Sequence, residues 1–204
     1  PMARMARVDS DTMTSPKQFR EVFEKMHAGE LDLLLGTQMV GKGLDFPRVS
    51  LVGVISADTS LAIPDFRAAE RTFQLVVQVA GRAGRADRPG EVIVQTLHED
   101  EPAILFAAEH DFEHFAEYEL PAREQTGLPP FTRMVRFITR HEKVDRARDG
   151  AHELTAALRR LLPSEVQIIG PMEAPIFRLR KQFRFHVLLM CPVAGRIQQF
   201  LSER

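Results

Sequence analysis

Two arginines three residues apart lie in a glycine-rich octapeptide, Gln78-Val-Ala-Gly-Arg82-Ala-Gly-Arg85. Residues at this spacing share one side of a helix or tight turn, and glycines keep the backbone beside them slim. A guanidinium binds phosphate bidentately and keeps its charge, so the pair suits the charge that develops on a γ-phosphoryl group. Spacing alone leaves an equal alternative, a basic surface turn that caps a helix C-terminus.

A second polar segment comes about forty residues earlier, directly after the apolar run Leu31–Leu35. It is Gly36-Thr37-Gln-Met-Val-Gly-Lys-Gly43-Leu-Asp45-Phe-Pro47. A strand that runs into a glycine-punctuated loop with threonine, lysine and aspartate presents backbone amides and short polar side chains to phosphate or ribose. Ligands of doubly wound sheets gather beyond the carboxyl ends of the strands. Together the two segments predict half of a nucleotide site.

The elements around these segments alternate between strand and helix. The expected strands are Met5–Val8, Leu31–Leu35, Leu51–Ile55 and Glu91–Thr96, and the expected helices cover about 14–27 and Phe66–Val79. The Leu31–Leu35 run, which is apolar except for Asp32, predicts a strand buried on both faces. Strands that alternate with helices predict a parallel α/β sheet.

A different unit is expected in the last third of the chain. Residues 100–120 have the composition of one helix, and Thr126–Pro130 is the clearest break. Beyond the break we expect the strands Met134–Thr139, Val166–Ile169 and Phe185–Met190 and the helices Val144–Leu162 and Ile197–Leu201. This β-α-β-β-α order indicates a small α+β domain.

The net charge of −1 conceals an asymmetry between the two parts. Residues 1–127 carry 13 Lys/Arg against 21 Asp/Glu, whereas residues 128–204 carry 14 against 7. A basic C-terminal third suggests a polyanionic partner, and a solvated cationic face without a partner is the alternative.

Cations and aromatic residues alternate in one segment expected between two strands. The candidate DNA contacts there are Arg178, Arg180, Lys181 and Arg184, accompanied by Phe177, Phe183 and Phe185. Arginines contact phosphates, and aromatic rings stack on bases. The alternative to DNA contact, given equal weight, is that the phenylalanines fill the core. The alternation of Phe183 and Phe185 favours this alternative for those two residues.

Composition excludes several classes of protein. No apolar stretch approaches the about 20 residues that span a membrane, and the N-terminal residues do not resemble a signal peptide. The single cysteine, Cys191, permits neither an internal disulfide nor a cysteine-based zinc site and fits a reducing cytoplasm. His110 and His114 have the i, i+4 spacing of helical zinc ligands but no evident third ligand, so no metal site is predicted.

The two polar segments resemble conserved motifs of superfamily 2 helicases, motif V in Gly36–Pro47 and motif VI in Gln78–Arg85. With Asp65–Arg71 between them, they resemble one family closely, the replication-restart DNA helicases known as primosomal protein N′ (PriA). The resemblance extends to Arg7–Thr12, Gly90–Thr96, Leu128–Phe131 and Ile169–Pro171 and covers essentially the whole chain.

This resemblance implies a fold and an activity. Residues 1–122 would form a RecA-like P-loop NTPase second lobe with a partial parallel sheet and a helical extension. Residues 123–204 would form the basic α+β C-terminal domain, which binds DNA and partners. The family's motor uses ATP and Mg²⁺ to move 3′ to 5′ on single-stranded and forked DNA in replication restart and primosome assembly. Its protein partners include restart and single-strand-binding proteins.

The resemblance also implies roles for individual residues. Arg85 would be the arginine finger, Arg82 a second γ-phosphate contact and Gln78 a hydrogen-bonding member of the same site, while Gly43 and Asp45 would face the nucleotide and Thr37 the DNA backbone. A further stretch of the family's pattern, without assigned roles, is matched by Asp65, Arg67, Glu70 and Arg71. The alternative to a functional role for these residues is a charged helix start with ion pairing.

Some parts of the family's pattern are absent. The sequence has no Gly-x-x-x-x-Gly-Lys-Ser/Thr loop and no Asp-Glu pair after an apolar strand, and the family's zinc-binding cysteines are missing. We therefore expect a piece of a longer helicase that is inactive on its own. The alternative is a non-catalytic DNA- or protein-binding module that retains the motor fold.

Overall fold

The structure is a computed structural model that describes residues 2–9, 12, 13, 15–37, 49–81, 83 and 90–192. The chain divides into two compact units, Pro1–Phe115 and Ala116–Arg204. The predicted boundary after residue 122 stays a prediction. In chain order the elements are β1 Met5–Val8, α1 Pro16–Ala28, β2 Leu33–Gly36, β3 Leu51–Val54, α2 Asp58–Leu61, α3 Ala68–Ala80, β4 Glu91–Val94, α4 Pro102–Ala108, α5 Phe112–Gln125, β5 Arg133–His141, α6 Val144–Leu161, β6 Gln167–Leu179 and β7 Gln182–Cys191.

The strands of the first unit pair in parallel, as the alternation of elements predicts. Met5 of β1 lies opposite Leu33 of β2, and Leu51 of β3 lies opposite Glu91 of β4. Burial of β2 on both faces was expected and is wrong, because Leu33 is 41% exposed and Leu35 is 45% exposed. Among the residues that the structure describes, β1 is the one strand paired with β2. A two-stranded sheet leaves part of each face open to solvent.

Local capping fixes both ends of α1. Ser15 accepts a hydrogen bond from the Gln18 amide at 3.3 Å, Pro16 begins α1, and Gly29 ends it with a left-handed φ of 76°. Helix α3 packs through its buried Phe73 and Val76 against α4, with the Phe115 ring stacked 4.5 Å from that of Phe73.

The single helix expected over residues 100–120 is wrong, because the chain forms α4 and α5 separately. His110 between them adopts a left-handed φ of 57°. The Asp111 carboxylate then accepts from the His114 amide at 3.1 Å, as a side chain at a helix start does. The break is stable because Asp111 satisfies a backbone donor that a new helix start would leave without a partner.

The second unit is an antiparallel sheet in the order β5-β7-β6 with α6 packed on one face. The core contains Val187 and Leu189 of β7, both 0% exposed, and Leu158 of α6. The predicted β-α-β-β order is confirmed through β7. The expected helix Ile197–Leu201 lies outside the described residues.

Candidate nucleotide and nucleic-acid sites

The carboxyl edge of the β1–β2 pair leads into the first candidate site. Val8 lies opposite Gly36 in parallel register, so the residues that follow them, Asp9 and Thr37, leave the sheet at the same edge. Thr37 is exposed in a bend directly after β2, where a ligand can reach it. Gly43 and Asp45, in the loop beyond it, lie outside the described residues. The role of Thr37 at the DNA backbone stays a prediction.

Asp9 is a buried carboxylate at this edge to which sequence reasoning gave no role. It is 6% exposed, and Arg7 forms an ion pair with it. The Thr12 amide donates to Asp9 Oδ1 at 2.9 Å, and the Asp9 amide donates to Thr12 Oγ1 at 3.0 Å. These reciprocal bonds fix Asp9 and Thr12 relative to each other after the end of β1. An aspartate followed three residues later by a threonine was the sequence signal for this pair of bonds.

Helix α3 carries the first three residues of the arginine-glycine motif, Gln78 to Ala80. Gln78 lies in the last turn of α3 and is half-buried. The buried side chains of Phe73 and Val76 fix this helix in the core of the first unit. Arg82 and Arg85 lie outside the described residues, so their roles stay predictions.

An ion-pair cluster precedes the same helix. The Asp65 side chain is 6% exposed and accepts from the Arg67 amide at 3.1 Å and from the Arg67 guanidinium at 3.1 and 3.2 Å. Arg71 lies 3.4 Å from the same carboxylate, whereas Glu70 accepts from Gln74 at 3.2 Å. The hydrogen bonds from Arg67, opposed by burial, lower the pKa of Asp65 to about 2. The cluster therefore holds the start of α3 as a salt-bridged turn.

The predicted cationic segment between strands is a tight hairpin, because β6 and β7 extend further than expected. Arg178 of β6 pairs with Phe183 of β7, and Leu179 pairs with Gln182. Arg180 and Lys181 form the two-residue turn with φ values of 50° and 65°. Left-handed backbone at both turn positions is the geometry that usually selects Asn-Gly. We call residues 178–184 the basic hairpin.

The phenylalanines in and beside the basic hairpin pack in the core, as the alternation of Phe183 and Phe185 predicted. Phe185 is 7% exposed and packs with Ala147 and Ala151 of α6. Phe177 and Phe183 join the same cluster, with 5.4 Å between their ring centroids. Packing in this cluster favours the core role of these rings over a role as stacking platforms for bases.

The cations of the basic hairpin have the exposure that a contact to a polyanion needs. Arg178, Arg180 and Lys181 are exposed, and Arg184 is half-buried. The Arg178 guanidinium lies 5.1 Å from the Phe183 ring centroid, and Arg184 donates to the Ile176 carbonyl at 3.4 Å. No ion pair of the described residues involves any of these four cations.

The two histidines with helical spacing do not share a helix. His110 lies between α4 and α5, and His114 Nδ1 is 2.5 Å from Asp111 Oδ2. Among the described residues no group of three or more His, Cys, Asp or Glu side chains is placed to hold a metal ion. In the same part of the chain, none of the helices has the length and apolar character needed to cross a membrane.

Two family models match the chain, one in each part. The helicase conserved C-terminal domain matches residues 3–87, and the primosomal protein N C-terminal domain matches residues 124–203. The first match and the parallel strand pairs confirm the predicted RecA-like second lobe, and the antiparallel sheet with α6 confirms the small α+β unit after it.

Curated relatives match over the full length of the chain. The replication restart protein PriA of Bacillus subtilis is 41% identical over 203 residues, which are 100% of this chain and 25% of the relative. The replication restart protein PriA of Treponema pallidum is 42% identical over 207 residues, which cover 100% of this chain and 31% of that relative. The chain thus spans between a quarter and a third of the length of these relatives.

Solved structures of one DEAD-box protein show weaker likeness. The C-terminal domain of Dbp5 aligns with a TM-score of 0.36 and 20% identity over 60% of this chain and 69% of that chain. Yeast Dbp5 L327V bound to Gle1 H337R and IP6 aligns with a TM-score of 0.38 and 19% identity. This alignment covers 60% of this chain and 32% of that chain.

Proposed function

Because this chain belongs to the family of the replication restart protein PriA, we propose that it forms the second motor lobe and C-terminal domain of an ATP-dependent superfamily 2 DNA helicase. Its activity would serve replication restart and primosome assembly in the cytoplasm, with movement 3′ to 5′ on single-stranded and forked DNA. The observation that carries the proposal is the succession of both family domains in one chain.

In this proposal the nucleotide lies between this lobe and one that carries the phosphate-binding loop. Arg85 acts as the arginine finger, Arg82 is a second γ-phosphate contact, and Gln78 is a hydrogen-bonding member of the same site. Gly43 and Asp45 face the nucleotide, whose Mg²⁺ the other lobe holds. Thr37 contacts the DNA backbone and transmits the nucleotide state to it. The exposed Thr37 at the carboxyl edge of β2 and the rigidly packed α3 support this arrangement.

The isolated chain should not hydrolyse ATP. The segment from Gly36 to Gly43 has the spacing of a phosphate-binding loop but ends in glycine, where that loop has the Ser or Thr hydroxyl that ligates Mg²⁺. The zinc of the parent family would be held by cysteines that this sequence does not contain, since its one cysteine, Cys191, is buried and free. A binding role is what the chain alone can perform.

The proposed DNA contact is the basic hairpin. Its exposed cations Arg178, Arg180 and Lys181 lack ion pairs within the described residues, so their charge is available to phosphates. Arg180 and Lys181 hold the turn in left-handed backbone geometry, in which Asn-Gly would be less strained. Such local strain is found at functional sites.

Restart proteins and single-strand-binding proteins are the proposed protein partners.

Two measurements on the 204-residue chain test this proposal. We expect no DNA-stimulated ATP hydrolysis, and weak binding of a labelled oligonucleotide that falls steeply with salt. Binding should weaken in the variant Arg180→Gln/Lys181→Gln. Binding that ignored salt and this variant would contradict the DNA role of the hairpin. Hydrolysis by the isolated chain would contradict the division of the nucleotide site between two lobes.

The second candidate function is a non-catalytic DNA- or protein-binding module that retains the motor fold. The exposed apolar residues Leu33, Leu35 and Ile93 on the two parallel strand pairs favour a partner surface. A complex of this chain with restart proteins, formed without ATP or a second lobe, would support it.

A further inference from the structure

The sheet of the second unit has a face opposite α6 that carries three arginines. Side chains alternate along β7, so Arg184 and His186 point away from the α6 side, where Val187 and Leu189 pack. Arg140 of β5 lies directly opposite Arg184, and Arg136 shares its face because it lies four residues earlier on the same strand. We call Arg136, Arg140 and Arg184 the arginine face.

The charges of this face are not neutralised by the described residues. Like charges directly opposite each other in a sheet are destabilising, so the Arg140–Arg184 pair costs stability. None of the described strand residues that the register places on this face is acidic, and none of the three arginines forms an ion pair in the described part of the chain. An arrangement that costs stability without a counter-charge indicates an anionic ligand.

The pKa of a buried histidine in the same face responds to the charge of the neighbouring arginines. His186 is 5% exposed, and neither of its ring nitrogens has a hydrogen-bond partner in the part of the chain that the structure describes. Burial lowers the pKa of His186, and the charges of Arg136 and Arg184 lower it further. The imidazole is therefore neutral at pH 7, and the positive charge of the face comes from its arginines.

Apolar side chains lie among these charges. Ile138 lies between Arg136 and Arg140 and is 42% exposed, and Met172 on β6 pairs with His186 and is 38% exposed. At about 3.3 Å per residue, the backbones of Arg136 and Arg140 are about 13 Å apart along β5, so the two side chains can each meet a separate phosphate. The face thus combines separated phosphate-binding groups with an apolar surface between them.

We propose that the arginine face binds the phosphates of a single DNA strand that continues from the basic hairpin. This inference rests on the proposed DNA-binding function. Arg184 belongs to both surfaces and connects them. A single strand fits better than a duplex, because its unpaired bases can lie on Ile138 and Met172, which a duplex would leave unused.

The test compares three charge-neutralised variants of the 204-residue chain with the unchanged chain. Arg136→Gln/Arg140→Gln changes the arginine face alone, and Arg180→Gln/Lys181→Gln changes the hairpin turn alone. The matched control, Arg159→Gln/Arg160→Gln, removes the same charge from exposed residues in the last turn of α6. Binding of a fluorescein-labelled 20-nucleotide dT strand is measured by anisotropy at several salt concentrations. Circular dichroism melts show that each variant is folded.

We expect the face variant to bind the dT strand about tenfold more weakly and to reduce the slope of log K against log[salt] by about 1.4, or about 0.7 for each lost phosphate contact. The control should change the slope by less than half as much. Because Arg140→Gln relieves a like-charge pair, it should leave the melting temperature unchanged or raise it.

Each contrary outcome has a separate meaning. A face variant that behaves like the control, while the hairpin variant loses binding, overturns the arginine face and leaves the proposed function intact. An unchanged chain that binds no DNA overturns the proposed DNA role itself. Loss of binding to a 20-base-pair duplex but not to dT in the face variant overturns the single-strand assignment. Tighter binding of a labelled polyglutamate than of dT, lost in the face variant, overturns the assignment to nucleic acid.

Discussion

The guanidinium of Arg178 lies 5.1 Å from the centroid of the Phe183 ring, its cross-strand neighbour near the end of the basic hairpin. The ring also packs against Phe177 and therefore contributes to the core. Aromatic and cationic residues that alternate along a sequence suggest base stacking, but here the rings stabilise the hairpin and the cations remain exposed. The two residue types have separate functions, which substitutions can distinguish.

Phe183→Leu should lower the free energy of unfolding by about 1–2 kcal/mol, because it removes ring packing and the cation–π contact. Urea unfolding followed by circular dichroism measures this change. DNA affinity of the folded variant should stay within about twofold of the unchanged chain. A tenfold loss of affinity without loss of stability would instead make Phe183 a base contact.

The turn of the basic hairpin should gain stability from glycine. Lys181 has a φ of 65°, and the left-handed region costs a non-glycine residue about 1–2 kcal/mol. Lys181→Gly should therefore raise the free energy of unfolding, by about 1 kcal/mol after the greater chain entropy of glycine is subtracted. The same variant should bind DNA more weakly. A lower stability would show that the Lys181 side chain makes contacts that stabilise the hairpin.

Asp65 should make the stability of the first unit depend on pH. Its pKa in the folded chain is about 2, below the about 3.9 of an unfolded aspartate. The stabilisation is thus fully present above about pH 4 and is lost as pH falls toward 2, with a magnitude of about 2 kcal/mol. Asp65→Asn should lower stability at pH 7 and flatten the dependence between pH 4 and 2. The exposed Asp149→Asn is the control, and equal effects of both variants would contradict the assignment.

Two glycines of the second unit should respond to alanine in opposite directions. A Cβ on Gly170, whose φ is 108°, would lie 2.9 Å from the His186 carbonyl oxygen, whereas a Cβ on Gly150 within α6 meets nothing within 4 Å. Gly170→Ala should lower the free energy of unfolding by about 2 kcal/mol or more, and Gly150→Ala should raise it by about 0.5–1 kcal/mol. Thermal unfolding of the two variants measures the contrast, and an unaffected Gly170→Ala would contradict the tight approach of β6 to β7.

Local signals in the sequence predict much of the first unit. Ser15, Pro16 and Gly29 mark both ends of α1, and apolar runs identify the strands. The break before α5 escapes such signals, because the composition around His110 and Asp111 suits a helix and only the backbone geometry shows the left-handed residue.

Long-range pairing accounts for what the sequence leaves open in the second unit. Pro171 and Pro175 argue against a strand, yet β6 includes both, since it is an edge of the described sheet with two register shifts. The arginine face depends on register as well, because nothing local places Arg140 beside Arg184. The roles proposed for Arg82 and Arg85 rest on the family resemblance. The structure adds Asp9, which forms hydrogen bonds with Thr12 at the carboxyl edge of the β1–β2 pair.

In the proposed function, this chain completes a helicase nucleotide site through Arg85. The most direct test replaces the corresponding segment of the Bacillus subtilis relative with this chain and measures DNA-stimulated ATP hydrolysis, with Arg159→Ala as the control variant. We expect the chimera to hydrolyse ATP, its Arg85→Ala variant to do so about 10³-fold more slowly or worse, and the control variant to be unchanged. If the chimera is active and its Arg85→Ala variant hydrolyses ATP as fast as the control variant, Arg85 is not the arginine finger.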